Sequence, residues 1–408
     1  MQVEITCPPI IIESDRDSNA LEGMVLAWGR AVMVTAYQLC WTQLEATLPL
    51  TCPHCGAADS VADGHRPYQL RTIFGSVALV RQRRQCRSCR RHFQPGDAVL
   101  PRQGRATDGL VQAAVLAAAS WPFATAAHVL HALSGAAVSP EWVRQITEGL
   151  GTQQAQRLAA VAEAVVTGQV ELPAVPPRDD GVVVLDGGYV VSRDTPEGME
   201  GKVAVLATGR EVVGRERRRL TDRRYVATFA SAQELGPRVY QTAAALGIAA
   251  APKLVVLGDG AEWISDLTAM HFPQAERRLD LWHLLKRGHE AVRAERLTEA
   301  EEQALWPELR DALRGGQVDV AVRLVAERLT TPVAETFRGY LLNQRAWIVD
   351  AETLLAQGEV VGSGAIEKGV DLVINRRLKG HRGMRWTRAN ATALVTLRTQ
   401  ILNNQAVA

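Results

Sequence analysis

The chemistry this sequence can do rests on three carboxylates, Asp186, Asp259 and Glu367, and four thiols, Cys52, Cys55, Cys86 and Cys89. Asp186 closes the apolar run Val182-Val183-Val184-Leu185, and Asp259 follows Leu254-Val255-Val256-Leu257-Gly258. Runs of this grammar read as buried strands, so each delivers an acid at a strand end. Glu367 stands after Gly362-Ser363-Gly364, a break that opens a helix and in which Ser363 is placed to cap it. Hard oxygen ligands select Mg²⁺ or Mn²⁺. A pair of such ions sharing carboxylates activates a water or a 3′-hydroxyl for in-line displacement at phosphorus.

The thiols fall into two CxxC pairs, Cys52-Pro53-His54-Cys55 and Cys86-Arg87-Ser88-Cys89. Thiolates in two knuckles joined through a hairpin suit one tetrahedral structural zinc. The plainer alternative, reduced buried thiols, fits poorly with the Arg, His and Ser around each pair. Cys7 and Cys40 read as unpaired thiols in a reducing compartment. Around the second knuckle Arg81, Arg83, Arg84, Arg87, Arg90 and Arg91 crowd together, a density suited to phosphate contacts.

With 408 residues, 47% apolar and 22% charged, the chain should fold into about two to four domains with real cores. A net charge of +2 is too small to argue for a polyanionic partner by itself. The distribution says more, because Arg clusters at 81–91, 210–224 and 376–388. Residues 1–19 carry no secretion-signal pattern, and the apolar stretch 21–41 holds Glu22 and Arg30. A surface or docking helix is expected there rather than a membrane span, in a cytoplasmic, nucleoid-associated protein.

The positioning elements divide the chain into an N-terminal helical segment, 1–50, with a helix over 21–49, and a zinc ribbon, 51–100, with strands 68–74 and 76–83 after a loop at 57–67. A helix-turn-helix-like module follows at 101–170, with helices 108–119, 123–133 and 139–146 and a linking helix 151–170. Its last short helix would offer Glu141, Arg144 and Gln145 as base readers; a helical bundle with no DNA role has the same outline. After a Pro-rich linker at 172–177, strands 181–192, 202–209 and 224–230, a helix 231–247, the strand ending at Asp259, a helix 261–271 and a strand 277–279 make the first part of an α/β core, 178–280. That order is ribonuclease-H-like, with first and fourth strands side by side. An all-helical insertion, 281–357, precedes the core's C-terminal helices, 358–408. Arg376, Arg377, Lys379, Arg382, Arg385 and Trp386 form a basic, aromatic-tipped tail placed to hold a DNA backbone.

The segments Leu185-Asp186-Gly187-Gly188-Tyr189-Val190, Leu257-Gly258-Asp259-Gly260-Ala261-Glu262, Val361 to Gly380 and Gly383-Met384-Arg385-Trp386 resemble the DDE transposases of bacterial insertion sequences, in particular the ISKra branch related to Mutator-like elements. The resemblance covers nearly the whole chain. It implies that Asp186, Asp259 and Glu367 are the metal-binding triad of a DNA transposase, that terminal inverted repeats and target DNA are its partners, and that it works as a homodimer or higher homo-oligomer. It also implies that Asp280 and His283 of Asp280-Leu281-Trp282-His283 lie near the site and handle the DNA strand; a pairing that only seats the insertion is the alternative. Trp306 is open to two readings, stacking on a flipped base or filling the helical core. Rival functions are a metal-dependent nuclease of the same fold and a transposase-derived DNA-binding regulator.

Overall fold

The computed structural model describes residues 7, 9–10, 17–101, 105–214, 217–362, 364–380 and 383–406, with only the backbone of 212, 217 and 218. Arg382 and Ser363 lie outside the described residues. The chain divides into two compact units, one spanning Met1–Gly149 and the other Leu150–Ala406.

In the first unit the long helix α1 (Ser18–Ala46) lays Trp41 onto a hairpin of β1 (Ser60–Thr72) and β2 (Gly75–Cys86), with the short β3 (His92–Phe93) beyond it. Leu70, Val77 and Leu79 are buried beneath Trp41, whose indole Nε1 donates to the Val80 carbonyl at 3.0 Å. The segment expected as a loop at 57–67 is mostly strand. Gly64, at φ +84°, lies where the register slips between Ala62 and His65, so a bulge lets the pairing run on to Ser60 opposite Cys86. Three helices follow: α2 (Asp108–Ser120), α3 (Phe123–Ser134) and α4 (Pro140–Val166). Gly135, at φ +76°, ends α3, and the Ser139 hydroxyl accepts from the Trp142 amide at 3.1 Å to start α4.

The second unit is built on a five-stranded mixed sheet, order β6-β5-β4-β7-β8, from β4 (Asp180–Val190), β5 (Met199–Gly214), β6 (Arg217–Thr228), β7 (Lys253–Gly258) and β8 (Glu276–Leu279). The first three form an antiparallel meander, while β7 and β8 run parallel to β4. As expected, first and fourth strands are neighbours. The runs Val182–Leu185 and Leu254–Leu257 are buried on both faces, which is why they are apolar without alternation. One face packs Val183, Leu185, Leu254 and Val256 against α5 (Ala232–Ala245) and α6 (Glu262–His271). Each such side chain contributes about 1.5–3 kcal/mol.

The insertion is helical throughout: α7 (Leu281–Ala294), α8 (Glu299–Arg314), α9 (Val318–Arg328), α10 (Pro332–Asn343) and α11 (Ala351–Ala356) surround their own core of Leu309, Ala321, Phe337 and Leu341. Trp306 packs partly buried against that core, 4.8 Å from the His289 ring, so the core-filling reading describes its place. The chain returns as α12 (Gly364–Val370), a π-helical segment (Asp371–Asn375), α13 (Arg376–Leu378) and α14 (Arg388–Leu402). These cover the other face of the sheet: a methyl at Gly188 would stand 2.9 Å from Val370, and one at Gly369 would stand 2.7 Å from Val205. Among the described residues, no helix is long and apolar enough to cross a membrane.

Candidate functional site

The β4–β7 ladder ends at Val184 opposite Leu257, and the β7–β8 ladder at Gly258 opposite Leu279. Carried one or two residues further, the same register sets Asp186 beside Asp259 and Asp259 beside Asp280. Three adjacent parallel strands thus bring an aspartate to one level, Asp186 within β4 where its pairing with β7 stops, and Asp259 and Asp280 just past the ends of β7 and β8. Asp280 keeps this register through its amide, which donates to the Gly258 carbonyl at 2.8 Å. Alternation along β4 and β7 sends Asp186 and Asp259 to the face opposite Leu185 and Val256, which is the face α12 covers.

Electrostatics report the same gathering. Asp186 is largely withdrawn from water, and its carboxyl is pushed up to about 6 by burial, with the charges of Asp259 and Asp280 adding to it. The Gly187 amide, donating at 2.7 Å, and His283 oppose the rise. One oxygen of Asp280 accepts both from the His283 amide at 2.8 Å and from the ring Nδ1 at 2.9 Å. Burial alone would pull the His283 imidazole down, but Asp280, Asp186 and Asp259 together hold it above its ordinary value. The other oxygen of Asp280, Oδ2, is buried with no hydrogen-bond partner among the described residues. The row supplies hard oxygen donors, one of them a buried carboxylate oxygen without a partner, which is the donor type a divalent cation takes.

Glu367 sits one turn into α12, exposed, on the helix that packs against this face. Among the described residues, the four cysteines alone bring three or more possible ligand atoms within 4.8 Å of one another, so Asp186, Asp259, Asp280 and His283 do not close a single-ion cluster, either among themselves or with Glu367. The insertion reaches this site directly. Tyr340 donates from its hydroxyl to the Asp259 carbonyl at 2.8 Å, and Gln344 donates to the Gly260 carbonyl at 3.0 Å. Gly260 is at φ +86°, and a methyl there would stand 2.9 Å from Gln344. Neither residue carries a sequence signal; only the fold brings α10 to the Asp259 loop.

The second candidate site, in the first unit, is the thiol cluster. Sγ of Cys52 lies 3.7 Å from that of Cys89, and Sγ of Cys55 lies 3.6 Å from that of Cys86. The edge of a zinc tetrahedron with bonds of about 2.3 Å is about 3.8 Å, so the cluster is compatible with structural zinc. The knuckles repeat one geometry: Gly56 donates to the Cys52 carbonyl and Arg90 to the Cys86 carbonyl, each at 2.9 Å, with Gly56 and Arg90 both at positive φ. The Cys89 amide aims at the Cys86 sulfur and draws that thiol down to about 7, while hydrogen bonding to the other sulfurs pushes Cys55 up to about 11, so the two share one proton unequally.

Of the expected DNA contacts, Arg87, Arg90, Lys379 and Arg385 are exposed. Arg83 is paired with Asp63 at 3.2 Å, Arg84 donates to the Ser60 carbonyl at 2.8 Å, and Arg376 is paired with Asp371 at 2.9 Å. Glu141, Arg144 and Gln145 share the outer face of α4 but are bound to one another, Arg144 also reaching Glu148. Arg377 and Trp386 depart from expectation. They are 1% and 7% exposed, with the guanidinium 5.2 Å from the ring centroid, because Trp386 bridges to Ser192 and donates from Nε1 to the Leu378 carbonyl. In this structure they hold the tail to the sheet. Asp280 is likewise fully buried, and its place is in the acid row.

No protein-family model and no curated protein matches this chain.

Proposed function

We propose that the second unit is a ribonuclease-H-like core and that the chain is a DDE-type DNA transposase, cutting element ends and joining their 3′-hydroxyls to target DNA. The observation carrying this reading is the in-register placement of Asp186 and Asp259 on neighbouring parallel strands, beneath a helix bearing Glu367. Magnesium ions, when bound, would activate the attacking oxygen and neutralise the charge developing at phosphorus. Asp186, Asp259 and Glu367 would hold them. His283, oriented through Nδ1 by Asp280, presents its remaining ring nitrogen, a positioning device of the kind found around metal ligands. The thiol knuckles, the exposed Arg87 and Arg90 and the outer face of α4 supply the surface for duplex DNA, which a homodimer would need to bring two ends together.

The test is a duplex carrying the DNA end that flanks the gene, incubated with Mg²⁺. The wild type is expected to cleave and to transfer the strand, while Asp186→Ala and Asp259→Ala bind the duplex and do neither. Full activity in either variant would sink the assignment. Cleavage without joining would make the protein a nuclease, and binding alone would make it a regulator.

A further inference from the structure

Arg238 of α5 is 7% exposed, yet among the described residues no carboxylate lies within ion-pair distance of it. Its Nη1 donates to the Ala227 carbonyl at 3.1 Å, which satisfies one of five N–H groups. The nearest acid to act on it is Glu234, one turn earlier and exposed. A buried cation without a counter-ion is costly, and burial draws this guanidinium down to about 10. The cost is sensible only where something negative shares the space.

That space exists. Arg238 lines a cavity of about 260 Å³ with Arg224, Gln241, Thr242, Gln400 and Asn403. Arg224 is half-buried and has no ion pair among the described residues; its Nη1 donates to the Arg223 carbonyl at 3.0 Å. Asn403 is committed elsewhere, accepting from the Tyr225 amide at 2.8 Å and donating to the Tyr225 carbonyl at 2.9 Å, and the Thr242 hydroxyl donates to the Arg238 carbonyl at 2.7 Å. Two guanidiniums and the Gln241 and Gln405 amides remain as donors around a hole walled by α4, α5, β6 and α14. Planar, multiply donating guanidiniums in a confined pocket match the oxygens of a phosphate.

We infer that Arg238 and Arg224 form a phosphate-binding pocket at the β6 edge of the sheet, separate from the aspartate row. The phosphate can come from solution or from a nucleic-acid backbone lying along this Arg-rich strand. The inference uses neither metal nor cleavage, so it stands or falls apart from the transposase reading.

Thermal unfolding of the full chain is followed while inorganic phosphate replaces chloride at fixed ionic strength. A saturable rise in Tm is expected, about 5 °C once phosphate stands about a hundredfold above its Kd. It should vanish in Arg238→Gln and need about tenfold more phosphate in Arg224→Gln. Arg223→Gln removes the same charge from the opposite face of β6 and should change nothing. If Arg238→Gln fails to fold, the contrast between Arg224→Gln and Arg223→Gln decides. The second probe is a short duplex with native or methylphosphonate linkages. Arg238-dependent binding of the native duplex alone, without a response to inorganic phosphate, assigns the pocket to backbone phosphate. Equal responses of wild type and the Arg238 and Arg224 variants to both probes would overturn the pocket.

Discussion

The thiol cluster, which is compatible with zinc, and the aspartate row, proposed above as a magnesium site, are specified in opposite ways. Each half of the thiol cluster is made within six residues: Cys52 to Ala57 and Cys86 to Arg91 turn back on themselves by their own backbone bonds, and one hairpin joins them. The aspartate row has no local half. Asp186, Asp259 and Asp280 become neighbours only because three strands share one register, and the loop holding Asp259 is fastened by Tyr340 from the insertion. A site closed by soft ligands can be folded by its metal. A site spread along a sheet must be folded first and is then merely completed by one.

That contrast can be broken at either end. The largest effect is expected at the thiols. Cys52→Ser or Cys86→Ser should lose the single zinc per chain that metal analysis of the wild type is expected to find. With it should go binding free energy on the order of 10 kcal/mol and the packing of Trp41 on the hairpin, read by near-ultraviolet circular dichroism.

Asp186→Asn should do the reverse of destabilising. A carboxyl at about 6 in the fold, against 3.8 in the unfolded chain, keeps its proton in the native state where the unfolded state has released it. Metal-free stability therefore falls as pH rises through that window. The Asn variant escapes the loss and should be about 1–3 kcal/mol more stable at pH 7, with the difference gone by pH 4. Chemical denaturation without divalent ions at both pH values checks this. A variant no more stable than wild type at pH 7 would mean that burial, with the charges of Asp259 and Asp280 beside it, does not raise the Asp186 carboxyl.

Asp280→Asn leaves the row in place but unsettles the imidazole, and is expected to weaken Mg²⁺-dependent cleavage about 10- to 100-fold, measured as the Mg²⁺ concentration for half-maximal rate. Tyr340→Phe removes one hydrogen bond to the Asp259 carbonyl and should cost about threefold to tenfold in the same assay, with the helical core intact by melting temperature. An effect larger than that of Asp280→Asn would make the insertion, rather than the sheet, the main determinant of the site.

What could be read beforehand follows the same division. The valine runs, the meander, the helical block and both CxxC knuckles announce themselves through periodicity and spacing within a few residues. Misread features depended on distant partners. Gly149 and Gly151 look like a break before a separate linking helix, yet α4 runs through both, and Gly151 lets the backbone of Ala393 approach where a methyl would stand 2.6 Å from its carbonyl oxygen. Gly64 and Pro67 look like loop residues, and a bulge keeps them in a strand. Arg377 and Trp386 have the composition of a nucleic-acid contact but are drawn inward by the Ser192 bridge. Tyr340, Gln344 and Arg238 had no visible signature because each acts through a backbone carbonyl, and any residue supplies one.

Asn403 clasps both backbone groups of Tyr225 on β6, the outermost strand, in the manner of one more rung. On a ribosome that rung arrives 178 residues after Tyr225, on the strand it closes. Until residue 403 has been made, this rim of the sheet is an open template onto which a second nascent chain could add. The α14 clasp can thus close this rim only once it has been made, so its place in the chain as well as its two hydrogen bonds governs how long the edge stays open.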